Sequence, residues 1–273
     1  MRHALWGMVV VAAALAAGCG QSPDGAAPRI AVSTSYLEAV VRDLLGRRTD
    51  VVRLSGPGTC PGHFDITPAH VARLRRCRLL LRFDFQRQFD AKLQGAVDEG
   101  LRIVEVPETS NLCEPATYLA ACKVAANALV GAGFIAQAAA DARLGQIGDR
   151  LAALGEVVRT DVRSAGLEGA AVVAAHHQGR FCTWLGLEVA AEFPASDDPG
   201  ALARVVAAGR ARGVGLVIGN VPQGRVVADR LAEALDATVV LFDNFPPAGA
   251  DGGGFDGMVR ENAKRLLTAR GQP

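Results

Sequence analysis

Arg29-Ile30-Ala31-Val32-Ser33-Thr34-Ser35-Tyr36-Leu37-Glu38-Ala39-Val40-Val41-Arg42-Asp43-Leu44-Leu45-Gly46 reads as a strand feeding a helix, and that alternation decides the fold. Arg29 to Ser33 is a short apolar run of strand type. Leu37, Val40, Val41, Leu44 and Leu45 then fall at i, i+3, i+4, i+7 and i+8, the spacing of one buried helix face. Ser35 with Glu38 has the form of a capping box, and Gly46 suits the C-terminal stop.

The pattern repeats downstream. Val51 to Leu54 is the next strand, followed by the Gly/Pro loop Gly56-Pro57-Gly58-Thr59-Cys60-Pro61-Gly62-His63. Thr67 followed by Pro68 predicts a helix start, a cap and then a first-turn proline. Leu79 to Phe83 and Leu101 to Val106 are further strands. Residues 118–165 carry no strand signal. There Leu144, Ile147, Leu151, Leu154 and Val158 form one helical stripe, which predicts a helix from Phe134 to Arg163 of roughly 45 Å. Gly145, Gly148 and Gly155 weaken that helix and mark where it could break. A second array follows, with strands at Ala170 to Ala175, Leu187 to Ala191, Val214 to Ile218 and Thr238 to Phe242. Val226, Val227, Leu231 and Leu235 are expected on one face of an intervening helix. Strands alternating with helices imply parallel sheets covered on both faces. The expected fold class is α/β: two lobes, each a parallel sheet with helices on both faces, bridged by a long helix. The lobes span 29–117 and 166–273, with the helical segment 118–165 between them.

Composition narrows the function classes. Among 273 residues, 50% are hydrophobic and 21% charged, which describes a globular chain and excludes global disorder. A net charge of +1 argues against a nucleic-acid surface, which needs a basic excess. Met1, Arg2 and His3 precede the apolar run Ala4 to Ala17. A bilayer span needs about 20 apolar residues, so residues 1–18 read as a signal peptide. Leu15-Ala16-Ala17-Gly18-Cys19 resembles a bacterial lipobox, with Cys19 as the lipidated residue and 19–28 as a lipid-anchored tether. The alternative is an ordinary signal peptide with a chance cysteine. Cys60, Cys77, Cys113, Cys122 and Cys182 remain, an odd set that cannot pair completely within one chain.

Ligands of doubly wound sheets bind outside the carboxyl ends of strands. His63 lies in the loop after the second strand, His176 directly follows Ala170 to Ala175, and Asp243 directly follows Val239 to Phe242. Two imidazoles and a carboxylate, divided between lobes, suit a borderline divalent ion such as zinc. Each also has a plainer role: a surface histidine, a buried hydrogen-bonded ring, or a turn cap.

Ile30 through Ser33-Thr34-Ser35, with Gly58 to Pro68, resembles the periplasmic zinc/manganese solute-binding proteins of ABC importers, the TroA-like superfamily. The family's first ligand is a histidine in such a loop before a Thr-Pro helix start, here His63. Ala174-Ala175-His176 with Trp184-Leu185-Gly186-Leu187-Glu188-Val189 is similar to the third-ligand segment. Val240-Leu241-Phe242-Asp243 matches the fourth, and Met258, Arg260 and Asn262 resemble the closing helix. The family's second histidine is replaced: Pro115-Ala116-Thr117-Tyr118 places Ala116 there. Glu114, Cys113 or water could fill the vacancy, and Cys60 and Cys182 could also enter the cleft. A thiolate would favour zinc, whereas Glu114 would admit manganese or iron. Cys60 with Cys113 is an expected cleft disulfide, and Cys77 and Cys122, on helix patterns, are expected core thiols or a bridge.

The resemblance implies a non-enzymatic, exported cell-envelope lipoprotein, expected to act as a monomer. It would capture a divalent metal, zinc first, for an ABC permease with a separate ATPase subunit. The bridging helix would limit hinge motion, so release would follow small lobe shifts. One alternative keeps the fold but binds a metal chelate or oxyanion. Another is a thiol enzyme using Cys182 with His176 and a carboxylate. Gly213-Val214-Gly215 opens a strand instead of following one, so a dinucleotide fingerprint fails on context, and there is no Walker A or GxSxG sequence.

Overall fold

A computed structural model describes residues 29–46, 49–56, 64–108, 111–247 and 253–270. The N-terminal part runs β1 (Arg29–Val32), α1 (Ser35–Leu45), β2 (Val51–Arg53), α2 (Pro68–Leu74), β3 (Cys77–Phe83), α3 (Asp90–Asp98), β4 (Arg102–Val106) and α4 (Pro115–Gly131), with a 3₁₀ segment Asp84–Phe89 before α3. Helix α5 (Gln137–Ser164) follows. The C-terminal part runs β5 (Ala171–Ala175), α6 (Gly179–Trp184), β6 (Glu188–Phe193), α7 (Pro199–Ala211), β7 (Leu216–Asn220), α8 (Val226–Leu235), β8 (Thr238–Phe242) and α9 (Gly254–Arg270). The segments 1–18 and 19–28 with Cys19, and the loop bearing Cys60 and His63, lie outside the described residues.

The two sheets have the same plan. Strand order is β2-β1-β3-β4 in one and β6-β5-β7-β8 in the other, with all pairings parallel. In each, chain order reverses at the first strand, and the carboxyl ends flanking that switch are where such sheets bind ligands. The strands β1 and β5 are almost wholly buried, as continuous apolar runs in covered parallel sheets should be.

Local chemistry sets the helix ends. At α2, Thr67 accepts from the His70 N–H while the His70 ring accepts from the Thr67 N–H, with Pro68 in the first turn. At α1 the capping residue is Thr34, not Ser35: its extended backbone lets the hydroxyl accept from the Leu37 N–H at 3.3 Å. Glu38 therefore does not close a capping box. It binds Arg42 on its own helix and Arg53 of β2, and is buried there. Cys77 opens β3 instead of lying on a helix, and Val226 is exposed at the start of α8, whose buried face is Ala228, Leu231 and Ala232.

Helix α5 runs unbroken for 28 residues past all three of its glycines. Packing explains one of them: a Cβ on Gly155 would stand 3.2 Å from the Trp184 ring of α6. That ring stacks on Phe181, and the Arg159 guanidinium of α5 lies over it, 5.6 Å from its centroid. On the other side, Arg150 of α5 holds Asp43 of α1 through both carboxylate oxygens and pairs with Asp256 of α9 at 3.3 Å. Phe255 of α9 stacks on Tyr118 of α4 with ring centroids 4.1 Å apart. The long helix is thus fastened to both lobes, and the closing helix reaches back to the first.

Candidate functional site

The strand-end residues of the second lobe are placed by sheet pairing. The His176 N–H donates to the Phe193 carbonyl at 3.0 Å, extending the β5–β6 pairing by one residue. Ala174 lies opposite Glu192 in that pairing, and the Glu192 carboxylate reaches His176 Nδ1 at 2.7 Å. With the Glu192 carboxylate as acceptor, Nδ1 is the donor of this bond, and in the neutral ring Nε2 is then the acceptor. The His176 side chain is 72% exposed. Gly179 makes room for this pair, since a Cβ there would fall 1.9 Å from a Glu192 carboxylate oxygen. His177 has its ring 5.7 Å from that of His176, and its carbonyl accepts from Asn111 of the first lobe at 2.7 Å.

Asp243 follows β8. Its N–H donates to Asn262 Oδ1, and its carbonyl accepts from Asn262 Nδ2 at 2.7 Å. Its carboxylate accepts from the Phe245 N–H at 3.1 Å. Burial raises its pKa above the usual aspartate value, opposed by that N–H and by Arg265. The Asn244 N–H also bonds to this carboxylate, so the backbone fixes its position at the strand end.

Glu108, just beyond β4, is a carboxylate that the sequence pattern missed. Burial raises its pKa, while His177 and His176 act the other way, which places it within electrostatic reach of both imidazoles. Its N–H donates to Asp84 Oδ1, tying it to the end of β3.

The residues considered for the lost histidine have other partners. Ala116 is an exposed methyl in the first turn of α4. Glu114 is ion-paired with Arg180 of the second lobe at 3.1 Å. Cys113 is buried, and burial followed by the neighbouring Asp243 charge pushes its thiol well above the usual value. Cys113 is a free thiol, so the expected disulfide to Cys60 is not formed; its hydrogen goes to the Asp243 carbonyl at 3.2 Å. Cys77 and Cys122 are likewise free buried thiols, not a bridge. Cys182 is fully buried in α6, and burial raises its thiol so that it stays protonated. Among the described residues, no group of three or more His, Cys, Asp and Glu side chains is assembled that could hold a metal. His63 is outside that set.

Comparison with known proteins agrees with this architecture. The family described as "ZnuA: Zinc-uptake complex component A periplasmic" matches residues 30–269. A search of curated proteins returns no match. Among solved structures, a zinc-bound 138–173 deletion mutant of ZnuA is similar, with TM-score 0.73 and 15% identity over 90% of this chain and 100% of that one. The periplasmic zinc-binding protein TroA from Treponema pallidum has TM-score 0.71 and 15% identity over 89% and 99%. A manganese-bound periplasmic metal-binding protein from Candidatus Liberibacter asiaticus has TM-score 0.73 and 10% identity over 89% and 100%. At these identities the structures establish a shared fold.

Proposed function

The chain belongs to the ZnuA family of periplasmic zinc-uptake components, and from that premise we propose that it captures a divalent metal, zinc first, as cargo for an ABC permease with a separate ATPase subunit. His176 and Asp243 of the second lobe and His63 of the first would be the ligands. The observation that carries this reading is the His176–Glu192 pair. A carboxylate on Nδ1 fixes the tautomer and leaves Nε2 for a cation, the arrangement typical of metal-bound histidine. Glu114 and Cys113 could complete the set only by giving up Arg180 and the Asp243 carbonyl. Water at the position of Ala116 keeps both contacts. A ligand set without thiolate leaves manganese or iron open as cargo, and Cys60 at the cleft would move the preference toward zinc. Export with a lipid at Cys19, and action as a monomer in the cell envelope, complete the reading.

Loading the full-length chain with zinc should leave about one equivalent bound and raise the melting temperature, because a ligand of the native state stabilises it. Less than a tenth of an equivalent with no thermal shift would sink the proposal. His176→Ala should weaken zinc binding by about a hundredfold, a ligand costing at least as much as an outer-shell partner.

A second reading keeps the fold and places a metal chelate or oxyanion in the cleft. It is favoured by Ala116 standing where the second histidine would be, since a chelate supplies its own donors. Chelates shifting the melting temperature where free zinc does not would select it. A thiol enzyme built on Cys182 is disfavoured by burial, which keeps that thiol unreactive.

A further inference from the structure

First-lobe residues 111–113 cross onto the strand ends of the second lobe and are buried there. Asn111 Nδ2 donates to the carbonyl of His177, one residue after His176, at 2.7 Å. Asn111 Oδ1 accepts from the Cys113 N–H at 2.7 Å, so the same side chain also braces the thiol. The Cys113 thiol lies 3.2 Å from the Asp243 carbonyl and 3.6 Å from Gln178 Oε1. The Asp243 carbonyl also accepts from Asn262 Nδ2, which uses both of its lone pairs. Gln178 in turn donates to Asn220 at the end of β7 at 3.1 Å. One short first-lobe segment therefore touches the ends of β5 and β8, and through Gln178 it reaches β7.

We propose that Asn111 and Cys113 are positioning residues that latch the first lobe onto the two second-lobe segments carrying His176 and Asp243, so that metal leaves only when these interlobe hydrogen bonds part. The inference rests on the reading of His176 and Asp243 as ligands. Neither latch residue touches the ion. Asn111 holds the chain beside His176, and Cys113 with Asn262 holds the main chain of Asp243. A lobe shift that breaks the 2.7 Å and 3.2 Å contacts loosens both ligand segments in one step. That couples lobe movement to release without any change in the ligands themselves. The contacts are buried and neutral, so each would be exchanged for water only on opening.

The test is the rate of zinc release from the full-length chain into excess chelator, with melting temperature measured alongside. Cys113→Ala should release zinc about tenfold faster, the loss of one net hydrogen bond. Cys113→Ser keeps a donor for the Asp243 carbonyl and should release zinc more slowly than Cys113→Ala; equal rates in the two variants overturn the latch. Cys182→Ala removes an equally buried thiol that does not hold a ligand segment. It should lower the melting temperature yet leave the release rate within about twofold. A native rate in Cys113→Ala, or equal acceleration in Cys113→Ala and Cys182→Ala, overturns the latch. If Cys113→Ala does not fold, Asn111→Ser serves: it is expected to accelerate release by about tenfold as well, and an unchanged rate overturns the proposal. Native protein that holds no zinc overturns the ligand reading instead, so the two failures are distinct.

Discussion

The two sheets share a strand order, yet their carboxyl ends are closed by opposite chemistry. In the first lobe the closure is ionic. Arg82 of β3, with a side chain only 5% exposed, holds Asp90 and Glu105, and Arg87 takes Glu105 from the solvent side. In the second lobe the buried part of the closure is neutral: Gln178 bonds to Asn220, and Asn262 and Cys113 bond to the Asp243 carbonyl. The difference has a use in a metal carrier. Asp90 and Glu105 are already matched by guanidinium groups and do not compete for a passing cation. Glu192 is held instead by an imidazole, and the Asp243 carboxylate by backbone N–H groups.

Cutting the ionic closure should have the largest effect. Arg82→Ala leaves two carboxylates that are a third exposed and can rehydrate, so the loss belongs at the low end for a broken buried pair, about 3 kcal/mol. Urea unfolding would show it, and a loss below about 0.5 kcal/mol, the level of a surface pair, would mean that this closure is effectively solvated. The equivalent cut in the second lobe is subtler. Gly179→Ala would put a methyl where a Glu192 oxygen now sits, and the flexible Glu192 side chain would swing off His176. Zinc affinity should fall about tenfold with little change in melting temperature, as for loss of an orienting outer-shell partner. Unchanged affinity would show that the carboxylate does not orient the ring.

The smallest effect expected is a divided pH response. Arg87 first, then Arg82, hold Glu105 near a pKa of about 2, against 4.5 for the ordinary group. Its contribution is therefore present above about 4.5 and is lost as pH falls toward 2. Cys113 and Cys182 have thiols raised above the usual 9.0, so the unfolded chain ionises first. Their contribution is present below about 9 and is lost as pH rises beyond it. In melting curves against pH, Glu105→Gln should flatten the acid limb and Cys182→Ala the alkaline limb. Limbs parallel to those of the native chain would contradict this division.

What the sequence shows of this depends on distance along the chain. The strand and helix alternation, the Thr67-Pro68 start and the α5 stripe are local, and periodicity reveals them; Ile147, Leu151, Leu154 and Val158 are indeed buried. Glu38 looked like a capping partner because Ser35 stands three residues before it. Thr34 took the cap, and tertiary contact with Arg53 of β2 claimed the carboxylate. Glu192 was invisible because its bond to His176 follows from the β5–β6 register, which no periodicity encodes. Cys113 could be seen as a loop thiol, but its partner carbonyl lies 130 residues away. The site residues that come from sheet register and lobe contact were the illegible ones.

The outer face of each sheet has its own apolar cluster, one containing Leu80 and Leu93, the other Val173 and Leu231. The inner faces do not. Val32 and Leu81 of the first sheet, Val172 and Ile218 of the second, and Ile147, Leu151, Leu154 and Val158 of α5 belong to a single buried cluster. In folding terms there are two sheets but one cooperative unit, because a folding domain is defined by owning its core. A cut in α5 would open the inner wall of both halves, so the two lobes are expected to melt in one transition.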